Sequence, residues 1–363
     1  MYPALAVTAA LVTERPDAEL RYVGSADGPE RELVTREGLP YSALPSGPLV
    51  GVGVARAARS LARMTVGLGH ALRVVRGFDP DALLMTGGWA TVPIAVACWL
   101  RRTPILIFLP DVEPAATIRL MSRLARRVAA TSGLSAAYFR AGLVVETGYP
   151  VRPALAALAS DPNARDLAQE HFGLEAGLPT VLVFGGSRGA RSINRALTAI
   201  LPELLGSCQV IHISGGLDWP WVRDVASGLP APLKARYHPH EYLHDQAMGL
   251  ALAAADLVIS RAGAGTLGEF PLFGLAAVLV PYPHAWRYQK VNADYLVERG
   301  AAVRLDDEML ADELLPVIRQ LLADDERREA MARSARALAV PDAAARVATQ
   351  LEALACTGKP RAT

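Results

Sequence analysis

The sequence predicts an α/β protein made of two doubly wound, Rossmann-like halves, and three observations carry that prediction. Apolar strand-like runs alternate with Ala/Leu/Arg-rich helical stretches along all 363 residues. Each run closes on a glycine or proline turn, as in ALLMTG (82–87), PILIFL (104–109), TVLVFGG (180–186) and DLVIS (256–260). The series restarts after a polar, proline-containing stretch, GYPVRPALAALASDPNARD (148–166), which reads as a linker. Strand, crossover and strand in repetition build parallel sheets with helices on both faces. The length suffices for two domains with separate cores.

The chain opens on MYPALAVTAALV, which already reads as a helix, with proline near its start. A doubly wound half normally places a strand ahead of that helix, and none is visible here. Between Gly38 and Phe78 there is no acidic residue, yet Arg56, Arg59, Arg63, Arg73 and Arg76 are present, interleaved with Leu61, Met64, Val66, Leu68 and Leu72. Such a region suits either an anionic membrane surface or an ordinary solvated helix face. Next, ALLMTGGWATVPIAVACWL (82–100) is uncharged and nearly long enough to span a bilayer. Gly87-Gly88 and Pro93 divide it into a strand, a turn and a helix, so it reads as a buried βα unit. PILIFL and RVAATS (127–132) continue the first half; TVLVFGG, QVIHISGG (209–216), DLVIS and AVLVPY (277–282) supply the second.

Composition narrows the function classes. Hydrophobic residues make up 52% and charged residues 20%, which indicates a folded chain. A net charge of +1 gives no global attraction to nucleic acid. Cys98, Cys208 and Cys356 lie far apart without a CxxC pair, which points to a reducing cytoplasm and away from disulfides or zinc.

Three segments carry chemistry. In TVLVFGGSRGARSINRAL (180–197) a strand ends in Gly185-Gly186, then Ser187, Arg188 and Gly189, and a helix follows. Glycines allow close backbone approach, and the helix start offers free N–H groups to a phosphate or diphosphate. A dehydrogenase would need an acid at the end of the next strand, but QVIHIS ends in Gly215-Gly216. A second such turn, DLVISRAGAGTLGEF (256–270), carries Glu269 near a helix start. That carboxylate can accept hydrogen bonds from a ribose diol, or merely complement the helix dipole. In VPYPHAWRYQKVNADYL (280–296), Gln289 and Asn292 open a helix with amides that can both donate to and accept from sugar hydroxyls. Together these suggest a nucleotide-sugar diphosphate site.

GGSRGARSIN, SRAGAGTLGE and PHAWRYQKVNADYL with the following RGAAV resemble the C-terminal domain of the MurG family. These are the N-acetylglucosaminyltransferases that convert lipid I to lipid II in peptidoglycan synthesis. TGGWATVPIAVA resembles the family's second glycine loop, and TGYPVR (147–152) resembles its TGNPVR. The resemblance runs through nearly the whole chain in order. It implies a GT-B fold, two Rossmann-like domains facing across a cleft. Residues 1–150 would form an acceptor- and membrane-associated domain, 151–335 the UDP-N-acetylglucosamine domain, and 336–358 a helix returning to the first.

By matching positions, the resemblance puts Gly186 and Ser187 at the donor diphosphate and Arg152 on the nucleotide-sugar. Leu243, in EYLHD, would present backbone to the uracil. Ala264, Gly265, Thr266, Leu267 and Gly268 would line the diphosphate and ribose, with Glu269 on the ribose hydroxyls and Gln289 on the sugar. Gly87 and Gly88 would form an acceptor diphosphate loop. Arg56, Arg59 and Arg63, with Arg119, Arg123, Arg126 and Arg127, would face the anionic inner membrane surface. The implied partners are lipid I and other cell-wall synthesis or division proteins, with no nucleic acid. The implied location is the cytoplasmic face of the cell membrane. No cofactor and no metal are required, since helix N-termini, amides and Arg152 can stabilise the departing diphosphate.

Two departures matter. Family members begin with a strand and a GGTGGH loop whose histidine is a leading candidate for base or acceptor contact, and Met1 stands just after that point. The expectation is that translation starts upstream of Met1, and that the first sheet as given lacks its first strand and glycine loop. Where many relatives have HEQN, this chain has Phe108-Leu109-Pro110-Asp111. Asp111 is thus a donor-site candidate by position. Asp111 or Glu113 could serve as the base, although an acid beside a helix start is also a common cap. The other histidines show no ligand spacing, His284 standing nearest the expected cleft. Two further readings compete: a GT-B glycosyltransferase acting on diacylglycerol, and a non-catalytic nucleotide-sugar-binding homologue.

Overall fold

The computed structural model describes residues 1–26, 28, 30–48, 52–186, 189–284 and 288–358. It divides into two compact units, Met1–Pro150 with Asp342–Thr363, and Val151–Pro341. The first contains α1 (Tyr2–Glu14), β1 (Tyr22–Ser25), α2 (Glu30–Arg36), β2 (Tyr41–Leu44), α3 (Val54–Phe78), β3 (Leu83–Met85), α4 (Val92–Leu100), β4 (Ile105–Leu109), α5 (Ala116–Met121), β5 (Arg127–Ala130) and β6 (Val144–Glu146). The second contains α6 (Pro153–Ala159), α7 (Ala164–Phe172), β7 (Thr180–Phe184), α8 (Arg191–Leu204), β8 (Gln209–Ile213), α9 (Trp219–Gly228), α10 (Ala231–Lys234), β9 (Tyr237–His240), α11 (Asp245–Ala254), β10 (Leu257–Ser260), α12 (Glu269–Phe273), β11 (Ala277–Leu279), α13 (Tyr288–Glu298), β12 (Ala302–Arg304), α14 (Leu310–Ala323) and α15 (Asp325–Arg336). The last helix, α16 (Ala343–Gly358), belongs to the first unit and packs on α1.

In the first unit β4 is buried on both sides, and its alternation assigns the two faces. Leu106 and Phe108 join Val7 and Leu11 of α1 and Val347 of α16 in one core. Ile105, Ile107 and Leu109 join Val75 of α3, Ile94 of α4 and Ile118 of α5 in the other. Each such side chain contributes about 1.5–3 kcal/mol by leaving water. All pairings are parallel, in the order β3-β4-β5-β6 and, separately, β1-β2. Among the described strands nothing joins β1 to β3.

Helix α3 buries Ser60, Met64, Gly67, Ala71 and Val75, a stripe of helical period. Gly67 is required there, because a Cβ would stand 2.1 Å from the Pro45 carbonyl oxygen. The opposite face exposes Arg56, Arg59 and Arg63 together with Val54, Leu61 and Val66. Two arginines expected on the basic face are engaged within the unit instead. Arg119 pairs with Glu113 at 2.8 Å, and Arg127 donates to Gln350 of α16. No described helix is long and apolar enough to cross a membrane, so 82–100 is β3, a glycine turn and α4.

The stretch 148–166, expected as a linker, is mostly helix: α6 and the first turn of α7 lie within it. Pro153 begins α6 and alanine and leucine carry it forward, which is helical composition. The division between units falls at Pro150–Val151.

The second unit has one six-stranded parallel sheet, β12-β11-β10-β7-β8-β9. Val181, Val183, Val210, Ile259 and Val278 face α8, α9 and α14 through Leu197, Val222 and Leu314. A polar network runs through this face. Asn194 Nδ2 donates to the Ser214 carbonyl at 2.8 Å and to Asp218 at 2.9 Å, so its Oδ1 is left to accept from His212 Nε2 at 3.0 Å. His212 Nδ1 then accepts from the Tyr237 hydroxyl at 2.7 Å. Burial works against the Asp218 charge, but hydrogen bonds from Trp221, Asn194 and Arg191 hold its carboxyl below the usual range.

Burial depresses the His212 pKa to about 3 despite the nearby Asp218 charge. Above about pH 6.5 the imidazole is neutral in both folded and unfolded chains. Between that value and 3 the unfolded chain binds a proton that the fold refuses, so stability falls as pH falls. Replacing His212 with asparagine is expected to flatten the slope of unfolding free energy between pH 6 and 4 by up to about 1.4 kcal/mol per pH unit. Denaturant titrations at several pH values check this; an unchanged slope would show that His212 titrates normally.

Candidate nucleotide-sugar site

In the second unit β8 and β9 lie to one side of β7, and β10, β11 and β12 to the other. The chain therefore reverses direction across the sheet between β7 and β10. In open parallel sheets, ligands bind at the carboxyl ends of the strands at such a switch point. Both glycine turns picked out in the sequence emerge there. After β7 come Gly185 and Gly186, the latter at φ +85°. Gly189, at φ +74°, lies so close to the end of β8 that a Cβ would stand 2.1 Å from the Ser214 carbonyl oxygen. Ser187 and Arg188 lie outside the described residues.

After β10, Arg261, Ala262 and Gly263 lead into a short 3-10 turn, Ala264–Leu267. Glu269 then begins α12. Thr266 and Leu267 are buried, while Ala264, Gly265 and Gly268 remain partly open. A Cβ on Gly265 would stand 3.7 Å from the Glu269 carboxylate, so the backbone of the turn lies directly against that group.

Arg152 reaches Glu269 across 117 residues of sequence. Its Nη2 donates to Glu269 Oε1 at 3.4 Å, and its Nη1 donates to Asp245 Oδ1 at 3.1 Å. The Arg152 side chain is 13% exposed and Glu269 15%, whereas Asp245, the first residue of α11, is 61% exposed. Burial raises the Glu269 pKa above the usual carboxylate value, and Arg152 offsets part of that rise. A half-sequestered carboxylate held by one guanidinium beside open backbone amides can accept hydrogen bonds from a vicinal diol. Leu243 is buried just ahead of α11.

Gln289, in the first turn of α13, uses its side-chain oxygen to accept from the Tyr282 N–H at 2.9 Å. Its amide nitrogen is thus the end with which it can meet a ligand. Asn292 is fully buried and donates to the Ala262 carbonyl at 3.2 Å, tying α13 to the glycine turn.

Sequence reasoning missed the residue that binds these loops together. Arg261 donates to the Val280 and Pro281 carbonyls at 3.3 and 3.4 Å, to Ser192 Oγ at 2.7 Å and to Asp307. Its guanidinium also lies 5.3 Å over the Tyr282 ring. Ser192 in turn donates to Asp307 at 2.8 Å. One nearly buried cation therefore fastens the start of α8, the end of β10, the loop after β11 and the turn before α14. An arginine directly before a glycine turn was the available signal, but its partners lie up to 69 residues away.

The remaining sequence candidates lie in the first unit. Gly87 and Gly88, at φ +96° and +84°, form the turn after β3, and Thr91 Oγ1 donates to the Gly88 carbonyl at 2.8 Å. Asp111 follows β4, two residues past its end. Glu113 is buried and held by Arg119, which also donates to the Pro114 carbonyl and lies over the Tyr138 ring. That is the setting of a structural ion pair. Among the described residues no cluster of His, Cys, Asp and Glu could hold a metal ion.

Two doubly wound units with parallel sheets, the second with two glycine turns at its switch point, are the architecture of the GT-B fold. A crystal structure of Acinetobacter baumannii MurG is similar over 97% of this chain and 95% of that one, with a TM-score of 0.72 and 26% identity. The UDP-GlcNAc 2-epimerase of Neisseria meningitidis shares the fold at a TM-score of 0.67 and 13% identity, over 97% and 98% of the two chains. Residues 1–130 match the glycosyltransferase family 28 N-terminal domain and 180–347 the C-terminal domain of that family. The UDP-N-acetylglucosamine–N-acetylmuramyl-(pentapeptide) pyrophosphoryl-undecaprenol N-acetylglucosamine transferase of Roseiflexus sp. (strain RS-1) is 41% identical over 98% of this chain and 92% of its own length. The enzyme of the same name from Moorella thermoacetica is 39% identical over 94% and 92%. The chain belongs to glycosyltransferase family 28.

Proposed function

We propose that this chain transfers N-acetylglucosamine from UDP-N-acetylglucosamine to the 4-hydroxyl of the N-acetylmuramoyl sugar of lipid I, giving lipid II with inversion at the anomeric carbon. The observation that carries this reading is the Glu269–Arg152 pair set against the open amides of a glycine turn at the β7/β10 switch point. Glu269 accepts from the ribose diol, and the amides after β7 and β10 hold the diphosphate. Arg152, paired with Glu269, stands ready to share its charge with the departing UDP. The Gln289 amide nitrogen donates to a sugar hydroxyl. Attack by the acceptor hydroxyl needs a proton acceptor. Asp111 is the candidate we assign, by its position two residues past the end of β4.

A paired assay tests the reading. UDP release is expected with lipid I and not with diacylglycerol. Release with diacylglycerol alone would move the acceptor to another lipid. Donor binding without turnover on either acceptor would make this a nucleotide-sugar-binding homologue.

The lipid acceptor calls for a surface that meets a membrane, and the exposed face of α3 supplies arginines and aliphatic side chains together. Vesicles rich in anionic lipid are expected to bind the protein, and Arg59→Gln to weaken that binding about fivefold, near 1 kcal/mol per charge. Equal binding to neutral vesicles would remove the electrostatic part of the reading.

A further inference from the structure

The loop after β11 carries an aromatic side chain whose open surface has no role yet. Tyr282 stands in VPYPH (280–284) between two prolines. Pro281 has its own φ fixed, and Pro283 disfavours the helical region for Tyr282, so this backbone has few states to choose from. Pro281 is buried, whereas Tyr282 is 44% exposed.

The exposed ring is nevertheless held in place. The Arg261 guanidinium lies 5.3 Å from its centroid, and that guanidinium is itself fixed by the Val280 and Pro281 carbonyls, Ser192 and Asp307. His284 meets the ring edge-on, with centroids 5.5 Å apart and planes at 82°. One face is therefore backed by a fixed cation and one edge is buttressed, which leaves the opposite face as the open one.

Its neighbours give that face a chemistry. The Tyr282 N–H donates to Gln289 Oε1 at 2.9 Å, so the ring and the outward-turned Gln289 amide nitrogen belong to adjoining groups. Arg261, against the ring, runs directly into the glycine turn after β10, and Asn292 ties α13 to the same turn through the Ala262 carbonyl. Strands β10 and β11 are paired up to Ser260 and Leu279, so all of these groups leave neighbouring strand ends. A flat apolar ring beside a planar N–H donor is the surface that receives a pyranose, whose hydroxyls lie around the rim and whose C–H bonds point from the faces.

We propose that Tyr282 is the stacking platform for the donor's hexose, its open face against a C–H face of the sugar while Gln289 donates to a rim hydroxyl. This rests on the nucleotide-sugar reading above, and that reading also selects the sugar face. In an α-linked UDP-N-acetylglucosamine the UDP departs from one face of the ring, and inverting attack comes to the other. A platform can cover only the first without blocking the acceptor. That face presents axial C–H bonds at C3 and C5, and the substituents at C2, C3 and C4 are equatorial, so it is apolar enough to stack. Because Arg261 and His284 already hold the ring, little side-chain freedom is lost on binding.

Calorimetric titration compares UDP with UDP-N-acetylglucosamine, without acceptor, on the unaltered chain, Tyr282→Ala and Tyr282→Phe. Both substitutions keep the backbone N–H that donates to Gln289, so the orientation of that amide is retained. Tyr282→Ala is expected to weaken UDP-N-acetylglucosamine about three- to tenfold and to leave UDP within about twofold, whereas Tyr282→Phe is expected to stay within about twofold for both. Retained UDP affinity also shows that the alanine variant is folded. Saturation-transfer NMR from the aromatic protons is expected to be strongest at sugar H3 and H5 and to be lost in Tyr282→Ala. Unchanged UDP-N-acetylglucosamine affinity in the alanine variant would overturn the proposal. Equal weakening of UDP would do so too, since the ring would then act through the Arg261 clasp. A phenylalanine variant as weak as alanine would assign the effect to the hydroxyl, and transfer strongest at H2 and H4 would refute the chosen face. A chain that binds no UDP overturns the nucleotide-sugar reading and this one with it; the other adverse results overturn only the platform.

Discussion

Replacing Glu269 with alanine is expected to weaken UDP-N-acetylglucosamine binding by about 30- to 150-fold, the equivalent of roughly 2–3 kcal/mol for hydrogen bonds to a charged group. The loss has two parts. The proposed ribose contact loses its acceptor, and Arg152 loses its pairing with Glu269 while keeping the one with the more exposed Asp245. Calorimetric titration of the donor checks the magnitude, and the pH dependence separates this role from a structural one. Burial raises the Glu269 pKa above the usual carboxylate value. Donor affinity is therefore expected to decline as pH falls toward that raised value, where the neutral carboxyl loses its strength as an acceptor. The donor's diphosphate is a diester and does not titrate in that window, so Glu269→Gln is expected to bind more weakly with a flat profile. Unchanged affinity in the alanine variant would remove Glu269 from the site.

Arg261→Ala is expected to cost about 3–5 kcal/mol of stability in denaturant unfolding, the range for breaking a buried charged pair. The Arg261 side chain is 9% exposed and Asp307 19%, so the carboxylate left behind has little water to compensate it. Removal also frees the Val280 and Pro281 carbonyls and Ser192 Oγ. Lysine keeps the charge but cannot fork to four acceptors, and Arg261→Lys is expected to recover only part of the loss. A cost below 1 kcal/mol in the alanine variant would show that the four loops hold their places without the clasp.

Much of the site was legible because its signals are local. A glycine turn after an apolar run is written in consecutive residues, and Gly185–Gly186 and Gly263–Gly268 emerged at the ends of β7 and β10 as their spacing implied. Glu269 at a helix start was visible for the same reason. Asp245 was not, because its relevance rests on Arg152, which lies 93 residues earlier. The short strands β1, β2, β6, β9 and β12 carried little signal. β9 reads YHPH, with two histidines and a proline, and its side chains are mostly half-exposed. Likewise, Arg119 and Arg127 looked as free as Arg59 until Glu113 and Gln350 were seen beside them.

The sequence by itself determined the class of structure: parallel, helix-covered strands, two units, and two glycine turns at strand ends in the second. Those properties follow from the alternation of apolar runs and from glycines at strand ends, each the work of a few neighbouring residues. Only the tertiary structure decided that β7 and β10 are adjacent, so that the two turns open at one switch point. It also decided that one buried arginine clasps four loops, and that β1 and β3 stand apart. Sheet order and side-chain pairing across a hundred residues depend on which faces bury against each other, and no local window of the chain records that choice.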